Sequence, residues 1–456
     1  MSNVKRFGAT GDGTTDDTEA IRHAVRDGDG MLHFPPGSYR ITEPIEIQLE
    51  QSGPLGIDGT GGTARVLMAG AGPAFRLIGT HGGTGDPKSV KGNVYPAQRL
   101  PTVKNIEIEG AHSEADGVQM IQTMQSVFEG VLIRRCRHGI HLTQRNRNVL
   151  ISHCHVYYNT GVGIFLDQVN LHQIIIASSH ISYNRLGGIR LEGSEIRNLQ
   201  ITGNDIEYNN HAQHDSEPEP TAEIYIDTTA EGASVNEITV ASNTIQATSS
   251  PGGCNIRIQE DGRGDSRPPG LWTIAGNIIG SQENNVHLSG CYGVSLSGNC
   301  IYSCSNRNLL IEDSRHINVG NNMFRRHTER MGTGVKLVRS SDVAINGCSL
   351  LDEDPEGQSS GASLLELVQC QRINISGCQL TDGVPCGIDA TECSHVNITG
   401  NTIHDSRSAA KSRHAIRFQG PGVGNLIGLN SLATAGGTPL SLDEESGVRT
   451  EANVVN

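Results

Sequence analysis

Three carboxylates, Asp167, Glu192 and Asp227, each stand one position beyond the last apolar residue of a short segment: GIFL from Gly163, GIRL from Gly188 and EIYI from Glu223. If these segments lie side by side, the carboxylates form a column and can share the work of proton donor and of base or nucleophile. Crowded like charges push one carboxyl pKa upward, while a nearby cation keeps another ionised. Arg190 and Arg257 would supply such cations, and Phe165 and Tyr225 would offer flat faces for a sugar ring. With Glu223, His141 and Arg145 they make up the expected substrate-contacting set. This chemistry requires no metal or cofactor.

What would align the segments is a repeat. Asn159, Asn184 and Asn209 follow one another at 25 residues, as do Tyr158, Tyr183, Tyr208 and Ile151, Ile176, Ile201. In the same frame GIHL (from Gly139), GIFL, GIRL, EIYI, NIRI (from Asn255), NVHL (from Asn285), NLLI (from Asn308) and GVKL (from Gly334) recur. Their second and fourth residues are apolar and the third is free, the alternation of a strand with one buried face. Short strands and small polar turns at this period predict an all-β fold, a right-handed parallel β-helix whose coils stack about 4.8 Å apart. The LxxLxLxxN signature of leucine-rich repeats is absent. One asparagine per coil predicts an internal ladder rather than a reactive group. Adjacent and alternate coils then bracket the carboxylate separations of retaining (about 5–5.5 Å) and inverting (about 6.5–9.5 Å) glycosidases.

The opening NVKRFGATGDGTTDDTEAIRHAV, followed by GMLHFPPGSYRI, resembles the N-terminal signature of the pectate-lyase-like β-helix superfamily. The likeness is to the pectate lyase 3 type domain that also begins polygalacturonase-related proteins, some alginate epimerases and phage tailspikes. It implies the fold, but not a reaction, because this fold hosts lyases, hydrolases, epimerases and binding proteins. Physically the segment predicts a capping helix over Thr18–Arg26, with Asp16 as N-cap, Glu19 as its N3 acid, and Ile21 and Val25 facing inward. Its acids do not meet the DxDxDG spacing of a calcium loop. The expected organisation is one β-helix domain over 1–456: a cap and first coil over 1–45, regular repeats over 100–432, and a C-terminal cap or tail over 433–456.

Two further constellations rank behind the carboxylate column. His155, His180 and Asp205 align beside Tyr157 and Glu207 as an acid/base or metal cluster, although stacked histidines are more often structural. Asp116 in EADGV resembles the NTDG-type strand of polygalacturonases, with His138 in the next coil, but the paired Asp of their next motif and the later GHG are missing. Turns RNRN (from Arg145) and NLHQ (from Asn170) adjoin the acidic column. Insertions at 211–222 and 260–270, which bring Asp215, Glu217, Asp261 and Asp265, are placed to wall a cleft.

Composition bounds the partners. A formal charge of −14 argues against nucleic acid as a general partner, and no apolar run long enough to span a membrane is present. The eleven cysteines show no CxxC pair and read as buried reduced thiols, so a cytoplasmic protein, or a secreted one whose signal has been removed, is expected. The reading is an enzyme that cleaves or transfers glycosidic bonds of a poly- or oligosaccharide, as a monomer or homotrimer. The alternatives are a uronate lyase or epimerase using Arg or Tyr, with or without calcium, and a non-catalytic glycan-binding protein.

Overall fold

The structure is a computed structural model, and it describes residues 2–83, 85–209, 222–260, 270–327, 332–354, 362–434 and 437–455. The chain divides into two compact units, Met1–Asp215 with Thr221–Thr239, and Val240–Asn456 with Ser216–Pro220. In both, short strands pair in parallel, each with the equivalent strand one coil away. Ile140 thus lies beside Ile164, Ile164 beside Ile189, and Ile189 beside Ile224 in the first unit, while Ile256 lies beside Val286 and Val286 beside Leu309 in the second.

The apolar positions of the repeat fill the interior. Ile140, Leu142, Ile164, Leu166, Ile189, Leu191, Ile224 and Ile226 are completely buried, and identical positions stack on one another through successive coils. Direction changes are made by single residues in the left-handed region. In three successive coils these are Gln144, Gln168 and Gly193 at one corner, His153, Ser178 and Gly203 at a second, and Tyr158, Tyr183 and Tyr208 at a third. The tyrosines at the third corner stack, with ring centroids 4.9 and 5.5 Å apart. After each tyrosine comes an inward asparagine. Asn159 Nδ2 donates to Asn184 Oδ1 (2.7 Å), and Asn184 Nδ2 to Asn209 Oδ1 (2.8 Å). The ladder predicted from the repeat is therefore present, and it satisfies amides that no water can reach. All eleven cysteines are free, and all but Cys300 are buried.

The N-terminal helix α1 covers Thr18–Asp27, but its cap differs from the expected one. Asp17 occupies the cap position and turns its carboxylate to the Thr10 and Gly11 amides (2.6 and 3.1 Å). Asp16 instead accepts from the Thr18 amide (3.1 Å) and hydroxyl and from the Thr42 hydroxyl. The acids thus tie the helix start to neighbouring turns. Thr18, Ile21 and Ala24 are buried in α1, whereas Val25, expected inward, is only half-buried.

Candidate functional site

Two outward columns of the first unit run side by side. In one, Glu46, Arg76, Gln119, His141, Phe165, Arg190 and Tyr225 are successive register partners. In the other, Thr143, Asp167, Glu192 and Asp227 are. The three carboxylates inferred from the repeat are therefore neighbours in space, one coil apart.

Hydrogen bonds run down the first column and cross to the second. Arg76 pairs with Glu46 and donates from Nε to Gln119 Oε1 (2.6 Å). Gln119 Nε2 lies 3.1 Å from His141 Nδ1, and His141 Nε2 lies 3.2 Å from Asp167 Oδ2. An arginine can only donate, so it fixes the glutamine oxygen on its own side and the amide nitrogen on the side of His141. That nitrogen also only donates, so Nδ1 accepts and the imidazole proton sits on Nε2, directed at Asp167. The hydrogen bond from His141 holds the Asp167 carboxyl below the ordinary carboxylate range. The upward shift that crowding predicts for a general acid is therefore not found at Asp167.

The other two carboxylates have partners of their own. Arg190 binds Glu192 through Nε (2.7 Å) and Nη2, both on Oε1, and Oε2 makes no hydrogen bond among the described residues. The Arg190 guanidinium also lies over the Tyr225 ring, 5.1 Å from its centroid. Asp227 Oδ1 accepts from the Thr229 amide (2.9 Å) and hydroxyl (2.7 Å), and Oδ2 from the Tyr225 hydroxyl at a long 3.4 Å. Phe165 packs against His141 and His138, with ring centroids 5.4 and 5.2 Å apart. Asp167 and Glu192 side chains are 28% and 34% exposed, while His141 and Arg190 are 15% and 16% exposed, so the carboxylates stand outermost and their cationic or imidazole partners lie deeper.

Other expected members lie elsewhere. Glu223 is fully buried; its Oε2 accepts from the Asn209 amide (3.1 Å) and Nδ2 (2.5 Å), which ends the asparagine ladder, and burial raises its pKa well above the usual range. It cannot touch substrate, because the GIxL register places position 223 where Gly188 stands one coil earlier, against the core. Asp116 is 4% exposed and is occupied by Arg137 (3.0 and 2.7 Å) and the His138 amide (3.0 Å). Burial keeps His138 neutral, lowering its pKa to about 4. Arg145, round the corner at Gln144, binds the Gly83 carbonyl and Asn170. Arg257 belongs to the second unit, where it donates to the Gly252 carbonyl (2.5 Å) and Cys254 Sγ (3.1 Å).

His155, His180 and Asp205 do share a column. The imidazoles stack 5.1 Å apart and within 3° of parallel, and His180 Nδ1 contacts Asp205 Oδ2 at 3.1 Å. Ring lone pairs lie in the ring plane, so parallel stacked rings do not converge on one ion. Asp215, Glu217, Asp261 and Asp265, on the expected cleft walls, lie outside the described residues.

The residues that sequence reasoning missed are Glu46, Arg76 and Gln119. Their signal is present in IEI, FRL and GVQM, the same apolar–free–apolar alternation, with the leading glycine kept only at Gly117.

Residues 1–71 match the family profile described as rhamnogalacturonase A/epimerase, pectate lyase-like. Residues 93–245 and 222–403 match the right-handed β-helix region. Among curated proteins, the chain is 50% identical over 44 residues to alginate lyase 7 of Azotobacter vinelandii (9% of this chain, 5% of that one). It is 41% identical over 56 residues to a probable glucan endo-1,3-beta-glucosidase of Arthroderma benhamiae (9% and 6%). The chain thus spans only 4–6% of the curated relatives it matches. Among solved structures, the surface adhesin PfbA of Streptococcus pneumoniae aligns at 16% identity and a TM-score of 0.44, over 70% of this chain and 90% of that one.

Proposed function

The chain belongs to the right-handed β-helix family, in its pectate-lyase-like superfamily, and from this premise we propose that the face bearing Asp167, Glu192 and Asp227 binds a glycan and cleaves or transfers a glycosidic bond. The observation that carries the reading is the in-register carboxylate column beside a column of His141, Phe165, Arg190 and Tyr225. Asp167, kept ionised by the His141 Nε2–H, acts as base or nucleophile. Glu192, one coil away at about 4.8 Å, stands at the separation used by retaining enzymes, and Asp227, two coils away, at that of inverting ones. Glu192, whose Oε2 makes no hydrogen bond among the described residues, is the proton donor in this reading. Phe165 supplies an apolar face for the ring, whereas Tyr225, buried at 8% exposure beneath Arg190, backs the guanidinium instead.

The Arg190–Tyr225 stack supports a second reading, β-elimination or epimerisation of a uronate with Tyr225 or Arg190 as base, with or without calcium.

Incubation with neutral and acidic polysaccharides, with and without chelator, separates these readings. New reducing ends without unsaturated products mark hydrolysis, and absorbance from unsaturated uronates marks elimination. Binding without product marks a glycan-binding protein. Asp167→Asn and Glu192→Gln are each expected to lower turnover at least about a hundredfold. Full activity in both would overturn the carboxylate mechanism.

A further inference from the structure

Away from the carboxylates, α1 (Thr18–Asp27), the strand Ile45–Gln48 and the following short helix α2 (Leu49–Ser52) enclose a groove of about 390 Å3. Its lining comes from Arg22, Val25, Arg26, Glu46, Gln48 and Gln51, together with Ser52. This volume falls at the low end of small-molecule sites. The charges in it are already balanced. Arg22 is held by Glu19 (2.7 Å) and Glu43 (2.8 Å), Arg26 by Asp27 (3.2 Å), and Glu46 by Arg76. An ionic ligand would find only the terminal nitrogens of Arg26 unpaired among the described residues, and that side chain is 67% exposed, where solvent and salt screen a charge contact.

What stays available is of another kind. The amides of Gln48 and Gln51 make no hydrogen bond among the described residues, and each offers a donor and an acceptor side by side. Val25 adds a half-buried apolar patch to the lining. Paired donors and acceptors around a small apolar surface, with no net charge to satisfy, match an uncharged polyhydroxylic ring. A sugar presents hydroxyls at its edge and C–H groups on its face.

We infer that the α1–α2 groove is a binding site for a neutral saccharide unit, separate from the carboxylate column. The choice of a saccharide rests on the glycan reading above. The groove and the column share one residue, Glu46, which lines the groove and begins the hydrogen-bonded row that reaches His141 and Asp167. Four coil steps separate Glu46 from Phe165, about 19 Å along the face. A chain molecule could therefore occupy both sites at once.

The test uses the full-length protein carrying Asp167→Asn, so that binding is read without turnover, with cellotriose, xylotriose and maltotriose as neutral probes and trigalacturonate as the acidic one. The side-chain amide signals of Gln48 and Gln51 are followed by 15N NMR. The inference expects a neutral trisaccharide to move both signals, Gln51→Ala to weaken that binding about tenfold, and Val25→Trp, which fills the groove from an exposed helix face, to abolish it. It is overturned if no neutral probe moves these amides, if Val25→Trp binds like its parent, or if trigalacturonate moves them more strongly. Failure here leaves the function reading intact if Asp167 still supports turnover in the otherwise unchanged protein. Amide shifts in the Asp167→Asn chain, with no turnover in the chain that keeps Asp167, would uphold the groove and overturn the function reading.

Discussion

Because Arg76 and the amide nitrogen of Gln119 can only donate, the proton on His141 is placed by residues that never reach the carboxylate column themselves. Gln119→Glu reverses the polarity of that link. The new carboxylate accepts from Nδ1–H, Asp167 still accepts from Nε2–H, and the ring is expected to carry both protons at neutral pH. Ring 15N shifts measure this directly, and a singly protonated ring in the variant would contradict the assignment. Glu223 gives a second residue-scale expectation. Its folded pKa is raised by burial, so above the unfolded value the native state holds a proton that the unfolded chain releases, and this contribution to stability falls as pH rises. Glu223→Gln keeps an acceptor for Asn209 and has no proton to lose. Its melting temperature should therefore gain on that of the wild type as pH is raised from 4.5 to 8. Glu223→Leu, which strands the Asn209 donors, should be less stable than Glu223→Gln by on the order of 1–3 kcal/mol at any pH, since neither variant titrates there.

At the scale of the elements, the corners set where each strand ends and which side chains face out. Gly203 shares a corner with His153 and Ser178, at φ +66, and a Cβ there would meet nothing within 4 Å. Any cost of substitution is therefore backbone cost. Gly203→Asn should be nearly neutral and Gly203→Val should lose on the order of 1–2 kcal/mol, as read by denaturant unfolding. Equal effects would show that the corner tolerates left-handed geometry for another reason. These corners were the part of the fold that the sequence hid. Gln, His, Ser, Tyr and Gly all occupy them, so no residue type announces the turn. The strands between them were legible, because GIxL exposes its own alternation and the asparagine interval sets the register. That register was enough to bring Asp167, Glu192 and Asp227 together on paper. It was not enough to reveal that Glu223 is a buried carboxyl, because its counterpart one coil earlier is a glycine, with no side chain to mark which way the position faces. Nor could it show that one oxygen of Glu192 is occupied by its near neighbour Arg190, since that depends on a rotamer.

At the scale of the whole molecule, the two units use the same coil differently. The outward row of the second unit pairs Lys336 with Glu366 and Arg417 with Asp389, and its His287 holds Glu312, 30% exposed, much as His141 holds Asp167. The first unit differs in the rings of Phe165 and Tyr225 that stand in its row beside the carboxylates. The contrast lies wholly in side chains that stand free of the interior. The third residue of each GIxL segment touches neither the buried isoleucine and leucine stacks nor the asparagine ladder. Selection can therefore rewrite positions 141, 165 and 190 one at a time, with no compensating change inside. In a lineage of such chains the rungs would be inherited nearly unchanged while this row drifts quickly, and ancestry would be written in the interior and occupation on the outside.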